Sequence, residues 1–416
     1  MMRKAAWVLP SHIENSGGFR TVFQNINCLL LHGYRCDVYI EKRGCTDAAS
    51  NLKRMAEQYF GVCGCRYFTT YKFHGTYDIM FATSWKTAEA VKQYPKATKK
   101  VYFIQDFEAA FYPAGTEYLA ACASYCQGLY PITIGRWLAA KMADHYHVDA
   151  RYFDFCADTD IYRDLHRKRE KAVCFIYQPH KPRRCSRLGL QALGIVSVLR
   201  PDVKIYLFGS DRKPRVPFAY ESRGCLSVEQ CNALYNQCMA GLCISATNPS
   251  RIPFEMMAAG LPVVDLHLEN NLYDMPQEGV LLAHYTPQSI AAALLELLDH
   301  PKKAKQMSQG GQRFMKDRTL AYGFDQFYEA VTDVLSDGKR KNRHGMKTVA
   351  CAEPVRMYRH APVISSMREN KAMQKLCRCK NFWVAQLGGK PPWWIRLLKN
   401  SRIVRSIYGR LQGDSL

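Results

Sequence analysis

Short apolar runs alternate with helical periodicity in two successive series along this chain, one ending near residue 155 and one restarting at Ala172. In the first series, residues 4–9 read as a buried strand and a loop with Gly17 and Gly18 follows. Val22, Ile26, Leu29 and Leu30 then repeat at the helical period before Gly33 closes the helix. Further strands are expected over 35–41, 77–83, 100–105 and 132–134, with helices capped by Thr46 and Ser84 and others over 116–127 and 135–146. The second series reads as strands over 172–177, 203–208, 241–245 and 262–266, alternating with helices over 186–199, 227–238 and 255–259. Thr286 and Pro287 form an N-cap and N1 pair opening a helix to Leu298. Such alternation predicts the α/β class, with parallel strands covered on both faces. The expected architecture is two Rossmann-like, doubly wound domains facing each other across a cleft, residues 1–155 and 156–336, followed by a tail over 337–416. Ligands of such sheets bind at the carboxyl ends of the strands, so the cleft is the expected site.

Composition excludes several alternatives. Hydrophobic residues at 48% and aromatics at 12% rule out a disordered chain, and no apolar run approaches the roughly 20 residues of a spanning helix. The apolar run in the first ten residues is too short for a secretory signal, which points to the cytoplasm. Seventeen cysteines, an odd number at scattered spacings, point to reduced thiols. The C-x-C pairs Cys63/Cys65 and Cys377/Cys379 lack partners at zinc-ribbon spacing, so no metal site is expected. The net charge of +22 is uneven: residues 337–416 hold 18 Lys or Arg against four Asp or Glu, and residues 1–336 hold 40 against 32. The first 336 residues therefore read as a mildly basic enzyme with a basic appendage.

Three segments carry candidate chemistry. Gly17-Gly18-Phe19-Arg20 lies between a strand and a helix N-terminus, where free N–H groups favour an anion such as a diphosphate; the alternative is a plain turn using glycine for a positive φ. The segment 177–184 follows a strand and offers Lys181, Arg183 and Arg184, either as an anion clamp or as a solvated basic loop. In the segment 248–264, Glu255 falls in the first turn of a helix that leads through Ala258-Ala259-Gly260-Leu261-Pro262 into a strand. That places one carboxylate on the cleft side, unless it only complements the helix dipole.

The run E-x-x-A-x-G-x-P-V-V from Glu255 to Val264 resembles the donor-binding motif of GT-B glycosyltransferases of the large retaining family 4, and the resemblance extends over roughly residues 4–335. Asp158-Thr159-Asp160-Ile161-Tyr162 and Phe208-Gly209-Ser210 fall at that family's interdomain and glycine-turn segments. The runs 102–113 and 179–184 are similar to WsaF-type rhamnosyltransferases of bacterial surface-glycan assembly. The resemblance implies that Glu255 bonds the nucleotide ribose, that Arg183 or Arg184 holds the diphosphate, and that Gly17 and Gly18 admit the donor, with Arg251 and Phe254 on the donor side. It places Gln105, Asp106 and Glu108 toward the acceptor, with Asp106 or Glu108 as the catalytic carboxylate orienting the hydroxyl. Three departures stand out: Thr247 replaces the first carboxylate of the family's E-x7-E pair, Gln105 replaces its active-site His, and Cys225 replaces a basic residue for which Arg223 is a substitute.

The implied activity is a retaining, metal-independent transfer of a sugar, with dTDP-rhamnose as the expected donor, to a growing polysaccharide or lipid-linked glycan, and no cofactor. A sugar-nucleotide epimerase or hydrolase of the same fold is the first rival. The second, a nucleic-acid binder, lacks a basic stripe interleaved with aromatics in residues 1–336. In the tail, residues 390–411 hold six basic and no acidic residues, with Trp393, Leu397, Val404, Ile407, Tyr408 and Leu411 on one helical face. That pattern predicts a basic amphipathic helix lying on an anionic membrane surface at the inner face, with docking on the enzyme itself or on RNA as alternatives.

Overall fold

A computed structural model describes residues 2–10, 16–40, 49–62 and 64–336. The Thr46 cap, Cys63 and every expectation for residues 337–416 lie outside the described residues.

The first domain runs β1 (Lys4–Leu9), α1 (Gly17–Leu31), β2 (Arg35–Ile40), α2 (Ala49–Phe60), β3 (Arg66–Phe68), β4 (Tyr77–Ala82), α3 (Trp85–Gln93), β5 (Ala97–Ile104), α4 (Thr116–Ser124), β6 (Tyr130–Ile134), α5 (Arg136–Tyr146) and β7 (Arg151–Phe153). Its seven strands are all parallel in the order β3-β2-β1-β4-β5-β6-β7. The second domain runs β8 (Ala172–Ile176), α6 (Ser186–Leu199), β9 (Lys204–Phe208), β10 (Glu221–Ser222), α7 (Val228–Gln237), β11 (Ala240–Leu242), α8 (Ile252–Ala258), β12 (Val263–Leu266), α9 (Glu269–Leu272), β13 (Val280–Ala283), α10 (Pro287–Asp299) and α11 (Pro301–Met315). Its six parallel strands follow the order β10-β9-β8-β11-β12-β13. In both sheets the order reverses beside the first strand, the switch point where a doubly wound sheet opens a crevice at its carboxyl edge.

Both sheets are buried on both faces, which is why their central strands read as continuous apolar runs. All but the first residue of β1 and every residue of β8 and β12 are buried. Helix starts follow side-chain caps: Ser84 and Thr87 form a capping box at α3, Ser227 and Gln230 another at α7, and Thr286 caps α10. Short edge strands escaped the sequence reading, because three residues such as Arg66-Tyr67-Phe68 carry no periodicity to detect.

The last described helix, α12 (Leu320–Leu335), leaves the second domain and packs on the first. Its Phe327 is fully buried against Trp7, Phe81, Phe103 and Phe153. The final helix of the span 156–336 thus completes the first domain's core. Other residues lock the domains together. The Asp274 carboxylate caps α5 by accepting from the N–H groups of Arg136 (2.9 Å) and Trp137 (3.2 Å), and Asp154 takes both Arg136 and Arg318 as ion partners. The charge-dense linker is held by α7, with Asn232 Oδ1 accepting from Arg163 N–H and Asn236 Oδ1 from Leu165 N–H. No described helix is long and apolar enough to cross a membrane.

Candidate active site

The carboxyl ends of β1, β5 and β8 bring Gly18, Gln105, Asp106, Arg183 and Arg184 together. The Gly17-Gly18 loop opens α1, where the Ser16 hydroxyl accepts from Phe19 N–H and no acidic residue occupies the first turn. Neither glycine has a positive φ, so their lack of a side chain is not explained by a left-handed turn. A side chain on Gly17 would project into open space, and one on Gly18 would lie 3.8 Å from Gln105 Oε1. The glycines thus leave the helix N-terminus open to close approach, the arrangement that suits an anion.

From Gln105 the constellation continues across the domains. Asp106 Oδ1 accepts from Asn248 N–H at 2.9 Å, and its Oδ2 accepts from the Thr247 hydroxyl at 3.1 Å and lies 3.4 Å from Arg183 Nε. Asn248 in turn donates its side-chain amide to the Gln105 and Ile134 carbonyls. Burial lifts the Asp106 carboxyl above its usual range against the pull of Arg183, and the same burial lowers the Arg183 guanidinium. The buried Arg183 Nε makes no hydrogen bond, and the guanidinium lies 4.3 Å from the centroid of the Phe111 ring. Arg184 is buried and donates to Ser245 Oγ at 3.3 Å. Ser245 N–H donates to Asp265 Oδ1 (2.8 Å), whose burial pushes that carboxyl up to about 6. Both arginines sit in the turn before α6, where Cys185 adopts φ 43°. A non-glycine residue there is strained by roughly 1–3 kcal/mol, and such strain concentrates at functional sites.

Glu255 is buried in α8, 3.8 Å from Arg251. Burial raises its pKa while Arg251 and Arg20 oppose the shift. Arg20, in the first turn of α1, is a cation of the first domain facing a carboxylate of the second. Only its place beside the glycines signalled it in the sequence.

Two expected residues lie elsewhere. Glu108 does not reach the cleft: its Oε2 accepts from Ser84 Oγ (2.7 Å) and Trp85 N–H (3.1 Å), capping α3 inside the first domain, and burial pushes its pKa up to about 7. Phe254 is fully buried and stacks on Phe155 at 4.6 Å with a 5° interplanar angle, so it belongs to the interdomain core and does not face a donor. Arg251 bonds Gln24 of α1 as well as pairing with Glu255, bridging the domains. Arg223 pairs with Glu221 at 3.2 Å and lies over the Tyr206 ring. Asn248 lies in the segment that the sequence singles out, but its tie to Asp106, and that of Asp265 to Ser245, carry no sequence signal because the partners are more than 100 and about 20 residues away respectively.

Residues 171–295 match the family model of the WsaF C-terminal domain. The O-antigen biosynthesis protein RfbC of Myxococcus xanthus is 29% identical over 312 residues, covering 71% of this chain and 24% of RfbC. The chain thus spans about a quarter of the length of that curated relative. Among solved structures, sucrose-phosphate synthase from Thermosynechococcus elongatus is similar with a TM-score of 0.62 at 12% identity, covering 80% of this chain and 100% of the other. Anabaena Alr3699/HepE in complex with UDP and glucose is similar at 0.60 and 15% identity, covering 79% and 99%. At these identities the likeness is one of fold, and the fold is GT-B.

Proposed function

We propose that this chain is a glycosyltransferase that moves a sugar from a nucleoside diphosphate donor onto a glycan of a bacterial surface polysaccharide. One observation carries the reading: Gly18, Gln105, Asp106, Arg183 and Arg184 form a continuous constellation from an open helix N-terminus to an arginine pair, at the facing carboxyl edges of two parallel sheets. That is a site for a dianion flanked by a carboxylate. The match to the WsaF domain, the identity with an O-antigen biosynthesis protein and the UDP and glucose held by HepE support it.

In this reading Arg183, Arg184 and the α1 N-terminus stabilise charge on the departing nucleoside diphosphate, the main electrostatic demand of glycosyl transfer. Glu255 receives the ribose hydroxyls, with Arg251 fixing its carboxylate. Transfer proceeds with retention and without a metal ion: the acceptor hydroxyl attacks the face from which phosphate leaves, and the leaving phosphate takes its proton. Asp106 orients that hydroxyl, and Gln105 borders it. The donor is dTDP-rhamnose, as the WsaF resemblance suggests. The basic tail holds the enzyme on the inner membrane face beside a lipid-linked acceptor. Incubation with dTDP-rhamnose, UDP-glucose and a membrane glycan fraction, with and without chelator, tests the reading. Chelator-resistant sugar incorporation with release of nucleoside diphosphate is expected. Epimerised donor with no incorporation would replace transfer by the epimerase alternative.

A further inference from the structure

We propose that the first domain carries an aromatic subsite, built on Phe111, Tyr112 and Trp85, that receives one hexopyranose ring of the acceptor against its apolar faces. This rests on the transferase reading and fixes the class of acceptor at the reacting end as a sugar.

The geometry sets the place. The Phe111 ring has the Arg183 guanidinium 4.3 Å from its centroid, yet it remains 37% exposed at the cleft. The sugar-side phosphate of the donor is bonded to the anomeric carbon, and with Arg183 assigned to that phosphate in this proposal, a ring stacked on the arginine lies about one sugar's width from the bond that breaks. The incoming hydroxyl must arrive there, and the residue carrying it must lie against whatever borders that point. Tyr112, next in the chain, continues the surface. Trp85 Nε1 donates to Tyr112 Oη at 3.2 Å, and the two rings meet edge to face at 5.8 Å and 89°.

This wall is fixed in place. Glu108 holds Trp85 by its backbone N–H and Ser84 by its hydroxyl, and it opens the short 3-10 turn Glu108–Phe111 that delivers Phe111. Glu108 N–H also donates to the Tyr125 hydroxyl at 2.9 Å. The carboxylate that the sequence placed among catalytic groups thereby acts as a positioning residue for the aromatic surface. Fixed aromatic faces with a few polar groups at the rim suit a pyranose, whose C–H face is apolar and whose hydroxyls lie at its edge. Lys86 Nζ lies over one face of the Trp85 ring, 5.7 Å from its centroid, and Tyr112 Oη, which accepts from Trp85 Nε1, is the polar group at the rim. An aromatic face has no such match for phosphate, so a bare lipid phosphate is the competing occupant that the test separates.

Saturation-transfer NMR on the full chain, with methyl α-rhamnoside and methyl α-glucoside as probes and inorganic phosphate as competitor, reads the contact directly. Transfer to ring C–H protons is expected, unaffected by phosphate. It should fall about fivefold in Phe111→Ala and in Trp85→Ala, the scale of one aromatic contact. Phe111→Leu keeps apolar volume without the ring and should show the same loss while melting like wild type, and Trp85→Ala should bind UDP with wild-type affinity. Absence of transfer from both glycosides while UDP binds, transfer unchanged in all three variants, or its abolition by phosphate overturns the subsite. Glycoside contact without binding of UDP or dTDP would instead overturn the donor reading and leave the subsite standing.

Discussion

Asp106, at the carboxyl end of β5 in the first domain, accepts the N–H of Asn248 in the second at 2.9 Å. The same carboxylate takes the Thr247 hydroxyl and faces Arg183, so one side chain fastens the two sheets at the edge where the proposed donor lies. In Asp106→Ala the Asn248 N–H loses its acceptor and the half-buried Arg183 guanidinium loses its counter-charge. Hydrogen bonds to charged groups contribute about 1.5–3 kcal/mol, so the melting temperature should fall by several degrees. Asp106→Asn keeps an oxygen for Asn248 and should recover part of the loss. Equal melting of wild type and both variants would show that the contact does not fasten the domains.

Three buried carboxyls, Glu108, Asp265 and Asp274, have pKa values pushed up by burial to about 7, about 6 and about 6. In each case the folded chain holds a proton that the unfolded chain has already released. The stability this provides is complete below the ordinary carboxyl range and is lost as pH rises through 6 to 7. For Glu108 the full span amounts to about 3 kcal/mol. Wild-type protein should therefore melt higher at pH 5.5 than at pH 8. Glu108→Gln, which still offers an oxygen to Ser84 and Trp85, should lose much of that difference. A melting temperature that climbs steadily from pH 5.5 to 8 contradicts the sign of all three shifts.

The sheets were legible in the sequence because strands buried on both faces must be continuously apolar, as in β1 and β8, and because Ser84, Ser227 and Thr286 mark helix starts with side-chain oxygens. The arginine pair and the glycine loop were legible because they adjoin those strand ends. Glu108 and Phe254 misled for one reason. Their residue types suit a cleft, but only tertiary packing shows that one caps α3 and the other stacks on Phe155. The return of α12 to the first domain was equally hidden: its apolar face fits either core, and only the position of Phe327 against Trp7 and Phe103 settles which.

Arg183 and Arg184 should contribute unequally. Arg183 has an unbonded Nε and a weak contact with Asp106, whereas Arg184 already donates to Ser245. A diphosphate gains most from the donor with free valence, so Arg183→Ala should cost about tenfold or more in nucleoside diphosphate affinity. Both variants should leave affinity for the free nucleoside unchanged. Calorimetry with UDP and uridine, and with dTDP and thymidine, measures the ratio; a wild-type ratio in the double variant moves the clamp elsewhere.

The tail prediction follows from charge alone. Each Lys or Arg near an anionic surface contributes about 1 kcal/mol, and salt screens it. Full-length protein should float with anionic liposomes at low salt and be released as salt rises, while remaining unbound to neutral ones. Indifference to lipid charge would remove the membrane role from residues 337–416.

Glu255 is the most demanding case, because its buried carboxylate already has Arg251 at 3.8 Å and Arg20 within electrostatic reach. If it served only to pair those cations across the domains, Glu255→Gln would lower the melting temperature and affect nucleotide and other ligands indifferently. A ribose contact predicts a different pattern. The carboxylate accepts from two adjacent hydroxyls, and a charged acceptor contributes about 1.5–3 kcal/mol more than no bond at all. Glu255→Gln should therefore weaken UDP and dTDP by roughly tenfold. Inorganic diphosphate, which has no ribose, should bind the variant as it binds wild type. Equal weakening of diphosphate and nucleotide would assign Glu255 to the structural pairing and leave the ribose without its proposed partner.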